Sequence, residues 1–175
     1  MVNPKPREML AQSIGIGARN GSGSYISPQQ ADEAFLRGKK SVFVDANVFI
    51  ALINKDDALH KRAMIIRDKL RNEKASLLTS NFIVSEVITV LSLRVDKKKA
   101  VEFGELVYGK TKALGIIRPT PGIEERALAY LKAAKSKNIS FVDCLTLAIV
   151  EFFGIRRVFS FDKDLRLGGR FELVN

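Results

Sequence analysis

The chain has 175 residues, 46% hydrophobic and 27% charged, enough for one ordinary globular domain and too few for two comfortable ones. Its single cysteine excludes an internal disulfide framework and fits a reduced, cytoplasmic setting. The opening MVNPKPREMLAQ holds no apolar run of signal-peptide length, and no later apolar run is long enough to span a bilayer, so no membrane partner is expected. A formal net charge of +10 favours a polyanionic partner, nucleic acid above all, and carries no information about fold.

Residues 1–40 read as an N-terminal extension. Its first part, to about residue 27, includes the Gly- and Ser-rich ARNGSGSYIS, lacks a sustained apolar period and is expected to be a flexible tail. A short helix is predicted next in SPQQADEAFLRG, with Ser27 as N-cap, Pro28 at the first helical position and Gly38 as the stop. From Ser41 the compact domain begins, and it is expected to run to the end of the chain, 41–175.

Strand and helix signals then alternate. Strands are predicted at 42–44, 75–79, 115–118 and 157–161, with a fifth, edge strand at 171–174. Helices are predicted at 46–54, 60–73, 81–93, 97–112, 123–137 and 142–153, the last stopped by Gly154. The helix at 81–93 is apolar almost all round and is expected to be buried. Alternation of this kind argues for an α/β fold, a parallel sheet with helices on both faces.

Four of the apolar stretches each carry one acid. Asp45 ends the first strand in SVFVDANVFIALI, and Asp162 ends the fourth in VFSFDKDL. Both lie where open α/β sheets bind ligands, beyond the carboxyl ends of the strands. An Asp there also suits a simple turn or helix cap. Glu86, in SNFIVSEVITVL, has apolar neighbours Phe82, Ile83, Val90 and Leu93 at helical spacing, with Ser85, Thr89 and Ser92 as a polar strip beside it. The plainer reading is a Glu snorkelling from the rim of a core. Asp143 follows Ser140 in an S-x-x-D capping box, which by itself explains an acid at that place. Capping and metal binding are compatible, because a carboxylate has two oxygens.

Considered together the acids pose a problem. Four buried, unpaired carboxylates would cost several kcal/mol each, roughly, and clustered ones would repel until some took up protons. A hard divalent cation, Mg²⁺ or Mn²⁺, relieves both difficulties, and the only Lys or Arg near these stretches, Arg94, Arg156 and Lys163, lie at their margins. The lone histidine, His60, and Cys144 read as packing residues and receive no role.

In their order, VFVDANVFIALI, SNFIVSEV, SFVDCLTLAI and VFSFDKDL resemble the PIN-domain nucleases, most closely the VapC-type toxins of toxin–antitoxin pairs. The resemblance covers 41–175. It implies a three-layer α/β/α sandwich with a central parallel sheet, and Mg²⁺- or Mn²⁺-dependent endoribonuclease activity. By motif, Asp45, Glu86, Asp143 and Asp162 match the family's catalytic acidic quartet. Asp45 and Asp143 are then the principal metal ligands, and Glu86 and Asp162 bind directly or through water. Asn47 and Ser160 fall where the family carries small polar residues supporting that site. RNA as substrate, a cognate antitoxin protein and a homodimer are implied as partners. The forty residues before the first strand depart from the family's usual start. The basic candidates for phosphate contact are Lys97, Lys98 and Lys99, then Arg126, Lys132, Lys135 and Lys137, then Arg156 and Arg157.

Other classes fit less well. A housekeeping RNA-processing nuclease would share every motif. A non-catalytic RNA-binding subunit would keep the basic surface without needing the acids. A phosphotransfer domain of haloacid type wants D-x-D where this chain has Asp45-Ala46-Asn47, and a receiver wants an acidic pair on the first strand.

Overall fold

The computed structural model describes residues 10, 11, 14, 41–109, 114–167 and 171–175. The short helix expected at 27–38, most of the tail and the last residues of the helix expected at 97–112 lie outside these described residues.

The compact domain runs β1 (Ser41–Val44), α1 (Ala46–Ile53), α2 (His60–Asn72), β2 (Ser76–Ser80), α3 (Asn81–Arg94), α4 (Lys97–Tyr108), β3 (Gly115–Ile117), α5 (Pro121–Ala133), α6 (Phe141–Phe152), β4 (Arg157–Phe159), a 3₁₀ turn (Asp164–Leu167) and β5 (Glu172–Val174). The five strands form one sheet in the order β3-β2-β1-β4-β5, with every neighbouring pair parallel. β1 lies at the centre because it is apolar on both faces: Val42, Phe43 and Val44 are all buried.

The chain steps outward from β1 to β2 to β3, then reverses across the sheet to β4. Right-handed crossovers therefore put α1–α4 on one face and α5–α6 on the other. The packing agrees: α1 packs on α2 and α3, α3 on α4, and α5 on α6. The Phe49 and Phe103 rings, 5.5 Å apart, join α1 to α4 within the first layer.

The helix ends follow local chemistry. Pro121 opens α5 at a position where its missing N–H is no loss. Gly154 closes α6 with φ 63°, and Ile155 N donates back to the Val150 carbonyl at 2.9 Å. Lys74 takes the same left-handed conformation, φ 55°, at the end of α2. α5 ends at Ala133, earlier than predicted, because Ala134 turns extended (ψ 130°) and its N–H closes on the Tyr130 carbonyl.

Two expectations are corrected. Helix α3 is not buried all round: Ser85, Glu86 and Thr89 are exposed, and so is Leu93 (77%). Its seam to the sheet is the narrower set Ile83, Val84, Val87 and Leu91. Within the extension, Leu10 and Ile14 are helical and join the core. Ile14 lines the space between the sheet, α1 and α2 with Val44, Phe49, Leu70 and Phe159.

Candidate active site

The strand order reverses between β1 and β4, the place in open α/β sheets where ligands bind beyond the carboxyl ends of the strands. Asp45 stands at the end of β1, only 5% exposed. Its backbone N–H continues the sheet by donating to the Phe159 carbonyl at 3.0 Å. Its side chain N-caps α1, with Oδ1 accepting from the Ala46 N–H at 2.7 Å. Oδ2 accepts from Asn47 Nδ2 at 2.7 Å and from Ser160 Oγ at 2.6 Å.

Ser160 is fully buried just past β4 and uses every valence of its hydroxyl. It donates to Asp45 and accepts from Asn47 Nδ2 (3.1 Å) and from the Asp162 N–H (3.0 Å). Asn47 Oδ1 accepts from the Phe161 N–H at 3.1 Å, tying the first turn of α1 to the loop after β4. Asp162 accepts the Asp164 N–H at 2.8 Å in an Asx turn, which fixes its carboxylate at the rim. One feature was not foreseen. Thr79, fully buried at the end of β2, donates its hydroxyl to the Val44 carbonyl at 2.9 Å and holds the strand end that carries Asp45. Its signal was a β-branched polar residue directly after the apolar pair Leu77-Leu78.

Asp143 is positioned by the capping box at the start of α6. Its N–H donates to Ser140 Oγ at 3.1 Å, and Ser140 N–H donates to its Oδ2 at 2.7 Å. Glu86, on the exposed strip of α3, is the least enclosed of the four.

Electrostatics join all four acids. Burial pushes the Asp45 carboxyl from an ordinary 3.8 up to about 6; the Ser160 and Ala46 hydrogen bonds oppose this, and the charges of Asp143 and Asp162 add to it. Glu86 is raised too, first by partial desolvation and then by Asp45 and Asp143. The residue is open to water, yet protein atoms on its inner side and two like charges still disfavour its ionised form. Among the described residues, no ion pair links any of the four to a Lys or Arg.

This is a concentration of negative charge on hard oxygen donors without a counter-cation among the described residues. Asp45 has three donors on about four acceptor sites, which leaves room for one further bond on Oδ1. Among the described residues no three acids, histidines or cysteines converge closely enough to hold a metal ion by themselves. Mg²⁺ needs only one or two carboxylates and keeps several waters, so the donor chemistry fits such an ion.

The expected basic surface is only partly available. Lys97, Lys98, Lys132, Lys135, Lys137 and Arg156 are exposed. Arg157 instead faces the opposite end of the sheet and pairs with Glu73 at 2.7 Å. Arg126 forks onto Glu151, which Tyr130 also bonds, joining α5 to α6.

Comparisons with known proteins identify the family of the fold that carries these residues. The PIN domain model matches residues 42–169, a span that contains all four acids, Asn47 and Ser160. The 23S rRNA-specific endonuclease VapC20 of Mycobacterium tuberculosis is 27% identical over 132 residues, 75% of this chain and 97% of that protein, in each of two strains. The crystal structure of Mycobacterium tuberculosis VapC20, described as a sarcin-ricin loop cleaving toxin, superposes with a TM-score of 0.66 at 28% identity. It covers 76% of this chain and 98% of VapC20. The chain therefore belongs to the PIN-domain family, and VapC20 is a homologue of it.

Proposed function

We propose that the protein is a divalent-metal-dependent endoribonuclease and the toxin of a toxin–antitoxin pair. The observation that carries the reading is Asp45: a buried carboxylate at the topological switch point, held by three hydrogen bonds, raised by burial and further by Asp143 and Asp162, and without a cationic partner among the described residues. Asp45 and Asp143 are the residues to hold Mg²⁺ or Mn²⁺, with Glu86 and Asp162 contributing directly or through water. Such an ion would supply an activated water and neutralise charge on the leaving oxygen of the phosphodiester.

The chain's own residues do the rest. Asn47 and Ser160 fix the Asp45 carboxylate in one rotamer and keep it able to ionise, because their hydrogen bonds favour the charged form. The Ser140 capping box fixes Asp143 in the same way. Glu86, raised and open to solvent, is suited to take a proton from water as attack begins. Exposed lysines on α4 and after α5 hold the RNA backbone and make binding salt-sensitive.

VapC20 acts on 23S rRNA by its name, and the same substrate class, structured ribosomal RNA, is the first to try here. An antitoxin protein covering the acidic crevice completes the reading. Exposed Leu93, Val101 and Tyr108 on α3 and α4 offer the apolar surface a homodimer would use. The test is expression in cells with RNA ends mapped, beside cleavage by purified protein with and without EDTA. Wild type should arrest growth and cleave only with metal, and Asp143→Asn should do neither. Undiminished cleavage in excess EDTA, or full activity of Asp143→Asn, would refute the proposal.

A further inference from the structure

Phe141 is the first residue of α6, and 37% of its surface is exposed. The core does not account for an aromatic ring there. Its neighbour Val142 packs against the core, and every residue from Cys144 to Val150 is buried. The backbone that carries it is firmly held. Phe141 sits between Ser140 and Asp143, whose two reciprocal hydrogen bonds, 2.7 and 3.1 Å, close the first turn of the helix. The segment leading into it carries exposed Lys135 and Lys137, and the Asn138 N–H donates to Ser136 Oγ (3.2 Å) in a short turn. Two cations, one exposed ring and one acid of the site thus follow within nine residues.

We propose that Phe141 is the platform on which a nucleobase next to the scissile phosphate stacks, while Lys135 and Lys137 hold the adjoining phosphates. The inference rests on the ribonuclease reading and names a positioning element within it. A strand bound at Asp143 lies against the first turn of α6, the turn that Phe141 begins, and every base has a face to offer the ring. Stacking against a ring carried on a fixed turn sets which phosphodiester enters the site, so Phe141 contributes to the choice of cleavage position. Charge complementarity favours RNA over a peptide, since the residues before the ring are cationic and no acid lies between Lys135 and Phe141.

The chain has no tryptophan, so Phe141→Trp installs a sole reporter at this place. Wild type, Phe141→Leu and Phe141→Trp are compared first for cleavage of ribosomal RNA with ends mapped. Loss of a stacked base should lower kcat/KM of the Leu variant by about 10- to 100-fold and redistribute its cleavage ends, while the Trp variant keeps both. Phe141→Trp in an Asp45→Asn background is then titrated with an RNA oligonucleotide spanning a site mapped with wild type, and with the same oligonucleotide made abasic beside the scissile bond. Quenching by the first and not by the second supports stacking. Equal quenching by both, or unchanged rate and ends for Phe141→Leu beside an active wild type, overturns the proposal and leaves the nuclease reading intact. An unchanged rate with lost neutralisation by an antitoxin would assign the ring to a protein interface, which also overturns it. An inactive wild type would bring down both.

Discussion

Replacing Asp45 by Asn should stabilise the metal-free protein at neutral pH, although it destroys the centre of the site. Asp45 has a folded pKa above its ordinary value, 3.8 moving to about 6, so the folded state binds more protons than the unfolded state between those values. Stability of wild type must therefore fall as pH rises through that window. The burden is small near pH 4 and complete above pH 6, where the gap corresponds to about 3 kcal/mol. Asparagine escapes the burden and introduces another. Whichever way its amide turns, an N–H meets a donor: Ala46 N–H on one side, Asn47 Nδ2 on the other. That conflict costs about 1–2 kcal/mol at all pH values. The variant should accordingly be about 1 kcal/mol less stable than wild type at pH 4 and about 1–2 kcal/mol more stable at pH 7.5. Relief of Glu86, which Asp45 also raises, acts in the same direction. Urea unfolding in EDTA from pH 4 to 7.5 measures the difference. Adding Mg²⁺ or Mn²⁺ at pH 7.5 should raise the wild-type midpoint and leave the variant where it was. A difference that does not change with pH, or that turns against the variant as pH rises, would refute the electrostatic argument.

Further expectations follow from single contacts. Ser160→Ala removes the strongest hydrogen bond that keeps Asp45 low, so its pKa should climb further and the acidic limb of the cleavage pH profile should move to higher pH; an unmoved limb would separate Ser160 from the ionisation of Asp45. Lys74→Gly should raise thermal stability by about 0.5–1 kcal/mol, because a side chain at φ 55° is strained where glycine is not, and the exposed Lys74 side chain leaves no buried contact to lose; a lower melting temperature would contradict this.

Much of the architecture was legible in the chain because its signals are local. The apolar triplet 42–44, the Gly154 stop and the S-x-x-D box at Ser140 each act over a few residues, and each appears where expected. The fifth strand, a weak edge signal, is present as Glu172–Val174. The candidate acids were legible for a related reason: a charge inside an apolar stretch is conspicuous before any fold is known.

Burial and partnership were less legible. Periodicity gave Glu86 apolar neighbours, but whether a helix is covered on a given side depends on what packs there, and α3 keeps its outer side bare. Ile14 joined the core from a segment without a sustained apolar period, because one or two side chains can fill a gap between sheet and helix without any repeat to announce them. Arg157 and Arg126 read as free cations until Glu73 and Glu151, 84 and 25 residues away in sequence, came to meet them.

The sequence by itself determined the order of strands and helices, the caps that end them and the four acids set in apolar surroundings, since all of these depend on side chains a few positions apart. Only the tertiary structure decided that Asp45 and Ser160, 115 residues apart, share a hydrogen bond, and that like charges from four separate segments act on one another. The physical reason is the reversal of strand order between β1 and β4, a long-range property of the sheet that converts isolated acids into one electrostatic site.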